Sequence, residues 1–452
     1  MTEPLHSRFN RTAKYFMDNG RAQTAEEAMG LLESFGLTIA VGPEIRSSPA
    51  AQIALLTLVN LARRTFLGGV HVVGPLDVPV LVPLSLQPSL ADAVLDLGGH
   101  VSEMAKPRCP VAMIGTADVT ASGSPVWCMT WEGWRGGVVP SDEGWRLADD
   151  EQVPLAPALA AAICAAEVFA YHAGDHPMAG KRAAGFSLWQ PGSDWTIGDL
   201  GEPDLSFLPS KLWLIGLGNL GQAYAWLLAT LPYPRGGLEL VLQDDDRLVE
   251  SNDSTSVLTR LDMLGQMKTR MVAAWLEDRG FATFLEERRY GHWTRRQQHE
   301  PGVALCGVDN PIARAALEDG GFGLVVESGL GAGPQSFRNV AMHVFPGART
   351  AKAIWPSTVM AGGPNVSHMP AYAALKERGL DACGLAQLAS RTVGVPFVGI
   401  FAGVLVISEL LRRLHGGLAM DVLAGALTCL DDVEGGVAVG GTYEHGYVVV
   451  SK

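Results

Sequence analysis

Seven residues on one stretch of this chain have the types and spacing of a nucleotide site. Gly216, Gly218 and Gly221 lie in WLIGLGNLG, after an apolar run at 212–215 and before a helical run at 224–231. Without Cβ atoms they let the backbone approach a phosphate and aim helix N-terminal amides at it. Asp244 opens the acidic cluster Asp244-Asp245-Asp246, 23 residues past Gly221. It ends a second apolar run (238–242), where a carboxylate can hold ribose hydroxyls. Asn252, Lys268 and Asp309 follow in register. Each has a plainer alternative when taken alone. The glycines and Asp244 are shared with NAD-dependent oxidoreductases, Lys268 can be an exposed helix lysine, and Asp309-Asn310 can cap a helix beginning at Pro311. Together they point to an adenine nucleotide.

The elements that must position these residues alternate. From 210 onward the pattern runs strand, glycine turn, helix and strand, then a helix at 263–277, a strand at 303–306, a helix at 311–317 and a strand at 323–327. A long apolar helix at 397–414 closes it, stopped by Gly416-Gly417. This predicts an α/β fold, a mostly parallel sheet with helices on both faces. The first half repeats the plan in worn form: strand 37–41, helix 49–63, strands 69–74 and 110–115, and an alanine-rich closing helix at 157–171. Its nucleotide equipment is gone, since GPEIRSSPA replaces the glycine turn and GPLDVP follows the second strand. An unrelated α/β domain is the alternative. The expected organisation is a degenerate domain at 1–186, a Pro/Gly/Asp-rich linker at 187–209 and an intact domain at 210–452. The tail, GVAVGGTYEHGYVVV, reads as a hairpin.

The string DDDRLVESN, LGQMK and CGVDN resembles the ThiF/MoeB family of adenylyltransferases, which includes the enzymes that activate ubiquitin and its relatives. The resemblance covers roughly residues 205–415. It implies two Rossmann-like ThiF-type adenylation folds in tandem, the first degenerate and the second intact. It also implies that Asp244, with Asp246 in the same motif, serves the ribose, that Asn252 and Lys268 contact the triphosphate, and that Asp309 holds Mg²⁺. The implied reaction is attack of a substrate carboxylate on the α-phosphorus of ATP, giving an acyl-adenylate and pyrophosphate.

Two departures stand out. Members read S-N-x-x-R-Q, whereas Thr255 here occupies the arginine's place, with Arg260 nearby. There is also no CxxC pair of the kind that holds zinc in the thiamin and molybdopterin members, which turns the reading toward the ubiquitin-activating branch. SRFNRT at 7–12 resembles the segment from which family members send an arginine into the partner's ATP site. Arg8 or Arg11 would then act in cis on the second half; a frayed, charged terminus is the alternative. Cys383 lies in LDACGLAQLAS, within the region of about 356–395 that corresponds to the family's crossover loop. There a thiolate would take the acyl group as a thioester. Cys164, Cys306 and Cys429 are expected in the core.

Composition bounds the rest. A 452-residue chain with 48% hydrophobic and 18% charged residues is a folded protein, and its net charge of −13 argues against nucleic acid or an anionic membrane as partner. Six dispersed cysteines, and an N-terminus without an apolar h-region, make the cytoplasm the expected compartment. The resemblance implies a ubiquitin-like protein and a conjugating enzyme as partners, with the two halves forming a pseudo-dimer and further homodimerisation left open. The match is to bacterial ubiquitin-activating-like enzymes of the kind found in anti-phage conjugation operons. Three other readings stand beside it: adenylation of a sulfur carrier or peptide without a thioester, NAD-dependent oxidation, and nucleotide binding without turnover.

Overall fold

The computed structural model describes residues 5–119, 123–198, 201–356, 366–438 and 443–450. In the first half, α1 (Leu5–Arg8) and α2 (Lys14–Asp18) precede α3 (Ala25–Glu33), whose N-terminus Thr24 caps by accepting from Glu27 N–H. Seven strands follow: β1 (Leu37–Val41), β2 (Val70–Val73), β3 (His100–Ser102), β4 (Val111–Ile114), β5 (Val126–Glu132), β6 (Arg135–Pro140) and β7 (Ala184–Ser187). They form one sheet in the order β3-β2-β1-β4-β5-β6-β7. α4 (Pro49–Thr65) leaves β1, α5 (Leu90–Asp96) joins β2 to β3, and α6 (Leu155–Ala173) joins β6 to β7.

The second half repeats that order. After β8 (Phe207–Pro209) come β9 (Lys211–Ile215), β10 (Glu239–Gln243), β11 (Ala282–Glu286), β12 (Val303–Cys306), β13 (Leu324–Leu330), β14 (Asn339–Phe345), β15 (Met420–Ala426) and β16 (Cys429–Val437). The sheet runs β11-β10-β9-β12-β13-β14-β15-β16. In both sheets the first five strands are parallel and the remainder antiparallel. α7 (Asn219–Leu228) leaves β9, while α8 (Glu250–Asp253) and α9 (Lys268–Glu277) lie between β10 and β11. α10 (Pro311–Ala315) follows β12. α11 (Ala351–Ile354), α12 (Pro370–Glu377), α13 (Ala382–Ser390) and α14 (Pro396–Leu414) separate β14 from β15.

The two sheets meet through their apolar helices. α6 and α14 are hydrophobic around most of their circumference, so each must be covered on all sides. They pack against each other, with α4 on α6 and α7 on α14. α6 is long and apolar enough to cross a membrane, but 89% of that window is buried inside this fold.

Several expectations change. The connection at 187–209 is packed, with Leu188, Trp189, Trp195, Leu205 and Leu208 buried. The tail forms no simple hairpin, because β17 (Tyr447–Val449) pairs antiparallel with β8 rather than with β16. Cys429 opens β16 and is exposed, whereas Cys164 and Cys306 are buried as expected. The helix expected from 263 begins at Lys268, after a turn of 3₁₀ helix at Leu261–Met263.

Candidate active site

The glycine turn sits where the strand order reverses, between β9 and β12, at the carboxyl ends of the strands, where open α/β sheets bind ligands. Gly216 has φ +83°, and a Cβ there would come within 2.8 Å of Val308 Cγ1. A Cβ on Gly221 would collide with the Gly216 carbonyl oxygen, so helix and strand can pack this closely only without one. At Gly218, the N-cap of α7, an added Cβ would meet nothing within 4 Å. No side chain caps this helix. Its first turn therefore carries N–H groups that no side chain caps, the donors that suit an anion.

Asp244 turns toward this space. Its carboxylate accepts from Leu217 N–H at 2.6 Å and Asp246 N–H at 2.8 Å. Burial raises its pKa above the usual carboxylate value, opposed by the nearby Lys268 ammonium. Lys268, buried at the start of α9, donates to Asp246 at 2.7 Å and lies 3.9 Å from Asp244. Asp246 is itself exposed, and Asp245 pairs with Arg289 at 3.5 Å. The Asn252 amide oxygen accepts from Val249 N–H at 2.9 Å, which leaves its NH₂ group to donate. Asp309 is exposed just past β12, and it is Asn310 that caps α10, accepting from Ile312 N–H at 2.9 Å.

The N-terminal segment is built into the second half. Arg11 N–H donates to Ser254 Oγ at 3.1 Å and Arg11 Nε to the Thr392 carbonyl at 2.7 Å, while Thr12 Oγ1 donates to the Gly394 carbonyl at 3.0 Å. Tyr372 of α12 donates to Asp18 at 2.6 Å, and the same carboxylate holds the buried Lys14 ammonium at 2.6 Å. These contacts rule out a frayed terminus. Burial first, then the neighbouring charge of Arg391, pushes the Arg11 guanidinium down to about 10; Asp309 and Asp18 oppose the shift. It remains a cation at neutral pH, within electrostatic reach of Asp309. Arg8 is exposed and pairs with Glu250 at 3.2 Å. Arg260 does not turn inward: it pairs with Asp96 at 2.8 Å and with Asp262 at 3.4 Å. Thr255 is buried, its methyl group pressed toward Gly394.

The matching position in the first half is closed by its own side chains. Ser48 caps α4 by accepting from Ala51 N–H at 2.9 Å, and Glu151 accepts from Ser48 Oγ and, at 2.7 Å, from Ala50 N–H. Glu44 reaches across the β1–β4 boundary to accept from Thr116 N–H at 3.1 Å and from Thr116 Oγ1. A cavity of about 480 Å³ remains there, bordered by Glu44, Asp149, Glu151 and Arg146. Three carboxylates against one guanidinium repel a polyphosphate.

Cys383 is exposed in the first turn of α13, its Sγ 3.6 Å from Gln387 Nε2. Residues 357–365, the Gly-Pro-Asn part of the expected crossover loop, lie outside the described residues. Just before them, a cavity of about 520 Å³ lies over β13–β16, lined by Arg314, His343 and Trp355. Its floor is low because Gly329, Ala341 and Ala424 align across three strands. Below it, the fully buried Glu327 accepts from His343 Nδ1 at 2.5 Å and lies 3.6 Å from Arg314.

Sequence reading missed the cations that surround the Asn252 turn: Arg63 and Arg64 of α4, and Arg391 at the end of α13. Their positions come from packing between the halves, and no local motif marks them.

Comparison with known proteins follows the same division. Residues 36–188 match the BilD N-terminal domain family and residues 208–417 the BilD C-terminal domain family. The bacterial E1-like protein BilD of Collimonas sp. (strain OK412) is 57% identical over 443 residues, covering 98% of this chain and 96% of that one. Among solved structures, E. coli MccB with MccA-N7isoASN is 11% identical, with a TM-score of 0.34 over 52% of this chain and 65% of that one. E. coli MccB with ATP is 12% identical with a TM-score of 0.32 over the same shares.

Proposed function

This chain belongs to the BilD family of bacterial E1-like proteins, and on that premise we propose that it is an ATP-dependent activating enzyme for a ubiquitin-like protein. It adenylates the C-terminal glycine carboxylate of that partner and transfers the acyl group to Cys383 for a conjugating enzyme. A substrate carboxylate oxygen bonds to the α-phosphorus as the bond to the β-phosphate breaks and pyrophosphate leaves. The Cys383 thiolate, having lost its proton to solvent, then attacks the acyl carbon and AMP departs.

The observation that carries this reading is the N-terminus of α7, uncapped by any side chain and open at Gly218, with Asp244 held on the neighbouring Leu217 N–H and Lys268 3.9 Å from that carboxylate. The amides of α7 and the Asn252 NH₂ would hold the triphosphate, and Asp244 the ribose. Lys268, held beside two aspartates in their absence, would turn to the phosphates when they arrive. Arg11 would supply the charge that Thr255 lacks, so the degenerate half completes the intact one. Mg²⁺, when bound, would offset phosphate charge, with the exposed Asp309 as its protein ligand. The substrate tail would lie in the cavity over Gly329, Ala341 and Ala424, under the crossover segment. The exposure of Cys383 supports a thioester step, and six unpaired cysteines suit a reducing cytoplasm.

The test is a thermal-shift titration of the full chain with Mg·ATP and, separately, NAD, repeated on Asp244→Ala and Lys268→Ala. Stabilisation by Mg·ATP that weakens in both variants is expected. A response to NAD alone returns the glycine turn to the oxidoreductases. Cys383→Ala should keep adenylation and lose a thiol-sensitive adduct with the partner; an adduct that persists removes the thioester step.

A further inference from the structure

The turn that carries Asn252 is held from the other half of the molecule. α8 is one turn of four residues, too short to be stable alone. Asp253, the residue after Asn252, receives a two-pronged contact from Arg63: Nη1 to Oδ2 and Nη2 to Oδ1, each at 2.8 Å. Arg64 reaches the same carboxylate at 3.1 Å, and its Nη2 donates to the carbonyls of Val257 (3.0 Å) and Thr259 (2.9 Å). Asn60 donates to the Val257 carbonyl at 3.0 Å and accepts from Arg64 Nε at 3.0 Å. The Arg64 side chain is 2% exposed. Asn60, Arg63 and Arg64 share the last two turns of α4, so one rigid helix grips the whole segment 253–259.

This is the segment from which the family's phosphate arginine is missing. A bidentate contact fixes orientation as well as distance. Rotation of a one-turn helix about its axis moves Asn252 and Asp253 together, so locking one carboxylate locks the neighbouring amide. Two guanidiniums on one carboxylate also leave one net positive charge beside Asn252, in a chain whose formal charge is −13. An ordinary cross-half pair looks different: Arg260 and Asp96 are both about 40% exposed.

We infer that Arg63 and Arg64 of the first half are positioning residues for the triphosphate, acting through Asp253 on the Asn252 turn of the second half. The inference rests on the adenylation reading. It gives the first half a role in catalysis separate from that of Arg11.

The test is calorimetric titration of the full chain with a non-hydrolysable α,β-methylene ATP analogue and with adenosine. The variants are Arg63→Gln, Asp253→Asn, their combination, Arg63→Lys and the control Arg260→Gln. Each single change should raise the Kd for the analogue roughly tenfold, and the double variant should be no worse than Asp253→Asn alone, which already removes the contact that Arg63 makes. Arg63→Lys, which keeps the charge but loses the fork, should fall between. Adenosine binding and the Arg260→Gln chain should match the parent. Unchanged analogue affinity in folded Arg63→Gln and Asp253→Asn overturns the inference, as do additive effects or an equal loss for adenosine. A parent chain that binds neither compound instead overturns the adenylation reading on which the inference rests.

Discussion

Two helix N-termini, one in each half, show how the same fold comes to leave one terminus uncapped and block the other. α4 and α7 leave the central strands of sheets with the same order, and both point their first turns at a strand-order reversal. At α7 the N-cap is glycine, a Cβ there would meet nothing within 4 Å, and Asp244 accepts from the turn's own amide. At α4 the N–H groups are already satisfied by Ser48 and Glu151, and Glu44 spans the gap a phosphate would fill. A capped helix is more stable by about 1 kcal/mol, and an uncapped one facing a cavity leaves donors unsatisfied. The first half carries the local stabilisation; on the proposed function, the second leaves its donors for a ligand.

Removing charge from the intact site should have the largest effect. Lys268→Ala and Asp309→Ala should each lower ATP–pyrophosphate exchange with the partner protein by about 10²–10³. Retained exchange in either would place the site elsewhere. Arg11→Ala tests whether the degenerate half completes the intact one. About a hundredfold loss is expected, against less than about twofold for Arg8→Ala, whose pair with Glu250 is solvent-exposed.

A pH titration of ATP-analogue affinity is a smaller test. Asp244 has its folded pKa raised above 3.8 by burial, so it takes up its proton at higher pH than an ordinary aspartate. Acidification should weaken affinity more in the parent than in Asp244→Asn. The stability contribution has the opposite sense. Folding raises this pKa, so the contribution is fully present below 3.8 and is lost as pH rises through the folded value. The smallest effect belongs to the blocked half. Glu151→Gln should leave ATP affinity within about twofold, while Ser48→Ala should lower stability by about 1 kcal/mol in denaturant titration without touching exchange.

The sequence made the alternation of elements legible in both halves, because strand and helix periods are local. β1 and β12 begin and end where the apolar runs do. The antiparallel strands β6, β7 and β14–β16, and β5 beside them, were not read, since their burial is set by neighbours far along the chain. The region at 187–209, rich in Pro, Gly and Asp, reads as the linker between the halves, and its tryptophans are buried in the fold, which composition does not mark. Cys429 followed an apolar run but opens an exposed strand. Within the site, Gly216, Asp244 and Lys268 meet around one turn, as their spacing implied. Arg260 had no such local constraint, and it turned to Asp96 of the other half.

By itself the sequence determined where backbone had to come close and where charge was available. A glycine with positive φ, or a carboxylate at a strand end, is specified by its immediate neighbours. Tertiary structure decided that Arg11 is held by Ser254 and Thr392 rather than left in solvent, and that Arg63 and Arg64 hold the Asn252 turn. Those contacts join residues about 190 or more positions apart. They exist because two repeated folds bury their apolar helices against each other, and no short-range pattern encodes the register of that packing.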